Sequence, residues 1–453
     1  EPFSPTSTLQ IEMLNGSGAG TGHDQLQRNS NLTLDGILTV MQTGSVPYGT
    51  YTIISLSSGT ISGSFSTVNL PAEYTLQVNS TTVDLVKSPP SSAPTHYFRS
   101  IATGDWATPA TWESSAASDF SSGVINPATL APDNASSGTT IRNGHNVSLT
   151  TSVTTDQTIV DAGGTLTHTG FLTLANGAGD DLTVDGTWDW NSGQLNNPGN
   201  AVVSASGTLN VSTSNGKALA TSLTNSGNFN WQDGTISTFN TPTITNSGTW
   251  TITGNNAITF GNTYGLVVNS GTITKTSSGT TDLTYISNFM NSGTFNFNGG
   301  TFVTGGAGAA TFTNAGALSF NTGTLTLNSG LALNYNPGSS VSGTGAFNNF
   351  ATLNLAINLV FPSTLIFTSN GLINGAGNLT VNNDFTLQGQ IFGPGTLTVN
   401  ANTTWTDAWL YRAFTVDAMR TLTINTGSSK LLGANLTNNG TINWQNGNIS
   451  FNN

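Results

Sequence analysis

The 453-residue chain has no cysteine. That excludes a disulfide framework and thiolate chemistry, and with them the stapled domains of secreted animal proteins. Charge is nearly as scarce. Asp, Glu, Lys and Arg make up 7% of the residues, against about a quarter in ordinary globular domains. Only nine are Lys or Arg and they are scattered, so the basic surface that neutralises phosphates is missing and nucleic acid is not an expected partner. No apolar run reaches the roughly 18 residues needed to cross a bilayer as a helix, so no transmembrane segment is expected. The opening EPFSPTSTLQ has no basic stretch followed by an apolar one and reads as a mature or internal start.

Asn, Thr, Ser and 53 glycines supply the polarity instead, and 22 Phe with 9 Trp supply material for a continuous core. These residues are ordered by a repeat. Leu223–Ser237 reads LTNSGNFNWQDGTIS and Leu436–Ser450 reads LTNNGTINWQNGNIS, with a weaker copy, GTWDWNSGQL, at Gly186–Leu195. Aligned on Trp190, Trp231 and Trp444, the copies stand 41 and 213 positions apart, near two and ten periods of about 21. Asn-Ser-Gly or Asn-Ala-Gly steps begin at Asn225, Asn246, Asn269, Asn291 and Asn314, at intervals of 21, 23, 22 and 23, and Asn438 opens the late copy. A period in the low twenties, alternating apolar residues and one Asn-Gly corner per repeat predict an all-β solenoid: a parallel β-helix with coils of about 21–23 residues. Asn and Gly are expected at the corners because they tolerate positive φ. Stacked in register, the corner asparagines are expected to form a side-chain ladder along the axis. Roughly sixteen coils after residue 97, at about 4.8 Å each, would give a rod near 75–80 Å.

The same stacking accounts for the missing charge. Glutamate does not occur after Glu113, and residues 201–453 hold five Asp and five Lys or Arg. A charge repeated in register would face its own copies, whereas neutral polar residues avoid that repulsion.

Residues 1–88 read as a short β-rich closing segment, with LTLDGILTV, YTIISL, YTLQV and TVDLV separated by turns. KSPPSSAPTH supplies a Pro/Ser-rich break with a linker at 89–96. An opening or capping segment follows at 97–138, and repeated coils at 139–453, uncapped at their far end. These corners and strands resemble large bacterial surface and secreted proteins built on right-handed parallel β-helices: filamentous-haemagglutinin and autotransporter-passenger types and the long secreted adhesins of gliding bacteria. Residues 17–87 are similar to the closing segment of such proteins, and residues 97–170, with GDWATPATW and IRNGHNVSLT, to their opening. The resemblance implies a right-handed coil, a bacterial cell-surface or extracellular location, and no catalytic residues to carry over.

Few residues suggest chemistry. Asp180, Asp181, Asp185 and Asp189 form the densest acidic group. They are the candidates for a calcium site, since hard cations favour oxygen-rich corners, and for a polysaccharide-degrading site, which needs carboxylates on neighbouring coils; solvated turn residues are the plainer reading. His23, His96, His145 and His168 lack zinc-ligand spacing, and no other cofactor is expected. The segment WTDAWLYRAFTVDAMR departs from the repeat. It reads either as a lateral loop or short helix presenting Trp405, Trp409, Tyr411 and Arg412 for binding, or as a coil with a longer corner whose aromatics cover the core. The expected function is not enzymatic. It is an extracellular structural rod or fibre (surface filament, matrix fibre or adhesin stalk), with copies of itself as partners in head-to-tail assembly or as part of a longer repetitive polypeptide. The alternative is an adhesin or carbohydrate-binding module recognising glycans or host surfaces through exposed aromatics.

Overall fold

The computed structural model describes residues 3–306 and 310–451, and these form two compact units that divide after Ser91. In the first unit, Thr8–Met13, Ile37–Gln42 and Thr67–Asn69 pair side by side in parallel. A hairpin, Tyr74–Val78 with Thr82–Lys87, adds antiparallel strands against Gly49–Leu56. Ile11, Met13, Leu38, Ile53, Ile54, Val83 and Leu85 fill its core.

The second unit begins inside the expected linker. Ser92 is buried, its hydroxyl accepting from Ser114 Oγ at 2.8 Å and from Thr129 N at 2.9 Å. Tyr97–Ser100 pairs antiparallel with Trp112–Ser115. Beneath them Trp106 and Trp112 meet edge to face at 5.2 Å, and each indole N–H donates to a carbonyl, that of Pro132 and that of Trp106. These side chains cover the first coil. The opening segment thus takes up its length without adding regular coils. About 14 turns of ~22 residues run between residues 139 and 451, fewer than the sixteen expected.

Each coil carries three short parallel strands. In one, Asn228–Trp231 lies on face 1, Thr235–Thr238 on face 2 and Thr243–Asn246 on face 3. Side chains alternate inward and outward, so every face contributes columns to one core. On face 1 the inward column runs Val147, Leu166, Trp188, Leu209, Phe229, Trp250, Ile273, Phe295, Leu318 and Val341, partner upon partner. Rings stack where aromatics are neighbours, as with Phe229 on Trp250 at 4.9 Å and Phe297 on Phe320 at 4.8 Å. Among the described residues the only helical element is the short turn Pro109–Thr111.

The Asn-x-Gly corners close face 3 and open face 1, and their glycine serves a purpose other than the one expected from the sequence. Gly227, Gly248, Gly271, Gly293 and Gly316 do not have positive φ. Each is pressed against the corner below: a Cβ on Gly248 would lie 2.2 Å from Gly227 O, and one on Gly271 2.1 Å from Gly248 O. The close approach lets Thr249 N donate to Gly227 O at 2.8 Å and Thr272 N to Gly248 O at 2.9 Å, so the backbone ladder continues through the bend.

The asparagine of the corner points inward. Asn225, Asn246, Asn269, Asn291 and Asn314 are all buried, and each of the first four donates from Nδ2 to Oδ1 of the next at 2.7 Å. The ladder expected along the axis is present, with five members. It starts above Val203 and ends at Tyr335, which occupy the same column.

Asn438 stands outside it. Coils shorten in the later part of the rod: stacked partners are 23 positions apart at Asn291 and Asn314, 20 at Asn349 and Ser369, and 18 at Asn382 and Asn400. On face 2 the inward column then runs Asn349, Ser369, Leu387, Trp405, Ile424 and Trp444. The shortening shifts the phase of the motif. Trp231 lies on face 1, stacked on Ile252, whereas Trp444 lies on face 2. Asn438 is exposed at the corner between faces 1 and 2, its Oδ1 accepting from Gly440 N at 3.2 Å.

Candidate functional site

The departure from the repeat after Asn402 is a strand, not a loop or helix. Thr403–Leu410 runs without a break from face 2 into face 3 and pairs with Phe385–Ile391. A bulge opposite Leu387–Gln388 leaves Thr406 and Asp407 both facing outward and reverses the alternation beyond. Thr403 and Trp405 therefore point into the core, while Asp407 and Trp409, of the same sequence parity, point to solvent.

This divides the expected binding residues. Trp405 is fully buried and donates from Nε1 to Ala408 O at 3.1 Å. Arg412 is buried too, its guanidinium donating to Gly375 O at 2.6 Å, Gly377 O at 2.9 Å and Phe392 O at 3.2 Å. Neither can meet a ligand: three in-facing carbonyls hold the one, and the core encloses the other. Tyr411 stacks on Phe392 with centroids 4.7 Å apart and lies over Gly433, covering a corner. Only Trp409 is displayed, 47% exposed.

Trp409 stands at one side of a concavity of about 540 Å³, lined also by Asn370, Gln388, Gly389, Gln390 and Asp407. Gly389 has φ +72°, and a Cβ there would lie 2.4 Å from Gly371 O, so the backbone is drawn close to form the floor. One indole, three carboxamides and one carboxylate converge, with no cation in the lining. Carboxamides both donate and accept, and an aromatic ring covers apolar C–H faces. The set matches a neutral, hydroxyl-rich ligand.

The acidic quartet is not assembled into a site. Asp189 faces outward on face 1, its Oδ1 accepting from Asn210 Nδ2 at 2.9 Å. Asp185 lies at the corner between faces 3 and 1, beside Asp161, whose carboxyl is raised by burial and then by Asp185, with Arg142 opposing. Asp181 is buried at the corner between faces 2 and 3, accepting from Asn200 N at 2.6 Å and Gly177 N at 3.2 Å; Asp180 accepts from Asn200 Nδ2 at 3.2 Å. The neighbour that Asp181 does meet is Asp156, whose carboxyl is raised by burial and then by the adjacent Asp181 carboxyl. Among the described residues no three His, Cys, Asp or Glu are grouped as metal ligands. The histidines are dispersed, with His145 on Ser100 Oγ at 2.8 Å and His168 buried against Trp188 and Trp190 of the next coil.

Sequence reading missed the buried cations. Lys217 Nζ donates to Thr213 O, Thr213 Oγ1 and Asn215 O, at 2.6, 3.0 and 2.8 Å. Lys430 repeats this with Thr426 O, Thr426 Oγ1 and Ser428 O at 3.0, 3.0 and 2.9 Å. Burial lowers Lys217 to about 8 and lowers Lys430 as well. The signal was present: Thr-x-[Asn/Ser]-x-Lys precedes both copies of the Asn-Trp-Gln motif, so the long repeat starts at Thr213 and Thr426. Compared with known protein families and curated proteins, the chain matches no family model and no curated sequence.

Proposed function

We propose that this chain is a non-enzymatic structural rod of a bacterial extracellular surface or matrix, assembling head to tail with copies of itself or within a longer repetitive polypeptide. The buried asparagine ladder carries this reading. A row of amides bonded end to end has no ligand to receive. Its effect is to fix the register of five successive coils and resist sliding between them. The core continuous from Phe98 to Ile424 and the nearly uncharged flanks support the same conclusion, since load along the axis is borne by parallel backbone ladders that no repeated charge weakens. Electron microscopy of native material tests it. Filaments with an axial repeat the length of one module are expected; isolated, unassembled rods would overturn the assembly.

The second reading is glycan binding at the Trp409 concavity, favoured by the convergence of the indole with Asn370, Gln388 and Gln390. Glycan-array binding that is lost in Trp409→Ala and kept in Tyr411→Phe is expected. Binding unaffected by Trp409→Ala would remove this site from consideration.

A further inference from the structure

Trp409 is one of five exposed aromatics between residues 200 and 430 among the described residues, with Phe260 (47%), Tyr264 (37%), Tyr285 (39%) and Phe350 (45%). All five lie along a single edge of the solenoid, where face 2 turns into face 3. Phe260 ends the face 2 strand Ala257–Phe260, and Tyr264 immediately precedes the face 3 strand Gly265–Asn269. Tyr285 precedes Ile286–Asn291, and Phe350 sits between Ala346–Asn349 and Thr352–Leu355. Trp409 follows the bulge on the strand that rounds the same corner.

Their order along the axis follows from strand pairing. The face 2 column passes from Leu283 through Thr304 and Leu327 to Asn349, three coils, and from Asn349 through Ser369 and Leu387 to Trp405, three more. Tyr285, Phe350 and Trp409 are therefore separated by two equal steps of three coils, each roughly 14 Å at about 4.8 Å per coil. At one end the platform is broadened: Phe260 lies 5.1 Å from Tyr264 and 6.0 Å from Tyr285, and the Tyr264 and Tyr285 rings are within 10° of parallel.

We propose that this edge binds one linear, uncharged polysaccharide lying parallel to the solenoid axis and stacked on the ring groups in turn. The inference rests on the glycan reading of the Trp409 concavity and extends it to a partner of defined shape. A protein partner fits poorly, because a stable interface covers about 800 Å² per side with a continuous apolar centre, and these rings are interrupted every few coils. A sugar chain fits the interruption. It is amphipathic along its whole length, with C–H faces for the rings and hydroxyls for the amides between them, here Asn370, Gln388 and Gln390. The charge pattern selects the neutral class. Among the described residues the edge carries no exposed cation to hold a uronic acid or sulfate, and of its two acids near the rings Asp282 is turned onto Thr284 N at 2.9 Å.

Affinity electrophoresis and titration calorimetry with soluble β-glucan, xylan and mannan, and with the disaccharide of each, test the proposal on the whole chain. A disaccharide is too short to bridge two ring groups. Binding of at least one polysaccharide is expected, weakened about tenfold or more by each of Tyr285→Ala, Phe350→Ala and Trp409→Ala, because each removes one of several linked contacts. Disaccharide binding at the concavity is expected to fall only with Trp409→Ala. All three side chains are surface-exposed, and an unchanged circular dichroism spectrum confirms the fold of each variant. Polysaccharide binding lost in Trp409→Ala but unchanged in Tyr285→Ala and Phe350→Ala would overturn the extended site while leaving the concavity intact. No binding to any of these glycans would overturn both.

Discussion

Asn246 donates from Nδ2 to Asn269 Oδ1 at 2.7 Å, in a core from which water is excluded. The amide orientation is fixed independently, because the same Nδ2 also reaches Gly248 O and Thr272 O, each at 3.3 Å, which only a donor can do. Asn269 repeats the arrangement toward Asn291, Gly271 O and Thr294 O. All five amides thus point the same way along the axis, and each is polarised by the one before it.

The middle of the row is where a substitution costs most. Asn269→Ala removes the donor to Asn291 Oδ1 and the acceptor of Asn246 Nδ2, leaving buried polar groups short of partners. A loss of about 2–4 kcal/mol is expected. Asn269→Asp keeps the shape but places an acceptor, or a buried charge with no cation near, against Asn291 Oδ1, and is expected to be worse than alanine. Asn438→Ala, at an exposed corner, is expected to change stability by less than about 0.5 kcal/mol. Urea unfolding midpoints of the three variants check the order.

Two tryptophans in near-identical sequence separate local from tertiary effects. Trp231 donates to Gly234 O at 3.2 Å and Trp444 to Gly447 O at 2.9 Å, and both glycines have positive φ, +85° and +87°. Locally the pair are twins. Trp231 is fully buried, however, and Trp444 is 55% exposed. Trp231→Ala is expected to cost about 3–5 kcal/mol and Trp444→Ala at most about 1 kcal/mol. Equal losses in denaturant melts would mean that the indole–glycine bond, rather than packing, carries the stability.

The twins also mark the limit of what could be read from the text. Period, corner and strand alternation were legible because each is a local property repeated many times, and the Asn225–Asn314 ladder followed from their register. Phase was not legible. Trp231 and Trp444 look a whole number of periods apart, but the shorter coils beyond Asn349 move the motif to another face. Parity failed in the same way at Trp405 and Trp409: on one unbroken strand they would face alike, and a bulge turns them apart. The aromatic edge was invisible for a related reason. Phe260, Tyr285 and Phe350 do not stand out among 22 Phe and 8 Tyr until strand pairing shows that they share a corner.

Acid should reach the core through one residue. His168 is fully buried against Trp188 and Trp190 of the next coil, its centroid 6.0 and 5.7 Å from theirs, and burial lowers its pKa to about 4. The neutral ring donates from Nε2 to Gly170 O at 3.0 Å. The unfolded chain, with its histidine near 6.5, binds more protons than the native state between those values. The stability contributed by the neutral ring is complete above about pH 6.5 and is lost as pH falls toward 4, amounting to about 3 kcal/mol. His168→Phe keeps the stacked ring without the titration. The difference in unfolding free energy between wild type and this variant is therefore expected to change between about pH 6.5 and 4 and to be constant above it.

Arg412 is the buried cation whose geometry makes the most specific demand. Its guanidinium reaches three carbonyls on two neighbouring coils, Gly375 O and Gly377 O on one and Phe392 O on the next, and the close passage is recorded at Gly393, where a Cβ would lie 3.1 Å from Nη2. A planar fork of donors can satisfy oxygens spread in this way, and a single ammonium cannot. Arg412→Met leaves the three carbonyls without this donor and is expected to cost about 3–5 kcal/mol. Arg412→Lys is expected to recover only a small part of that loss, despite retaining the charge. The contrast case is Lys430, whose ammonium is held by oxygens of its own preceding turn. Lys430→Arg, too broad for that cage, is expected to destabilise, so the two cations should exchange in neither direction. If thermal melts showed Arg412→Lys as stable as wild type, the site would require only a positive charge, and the role assigned to the fork would be wrong.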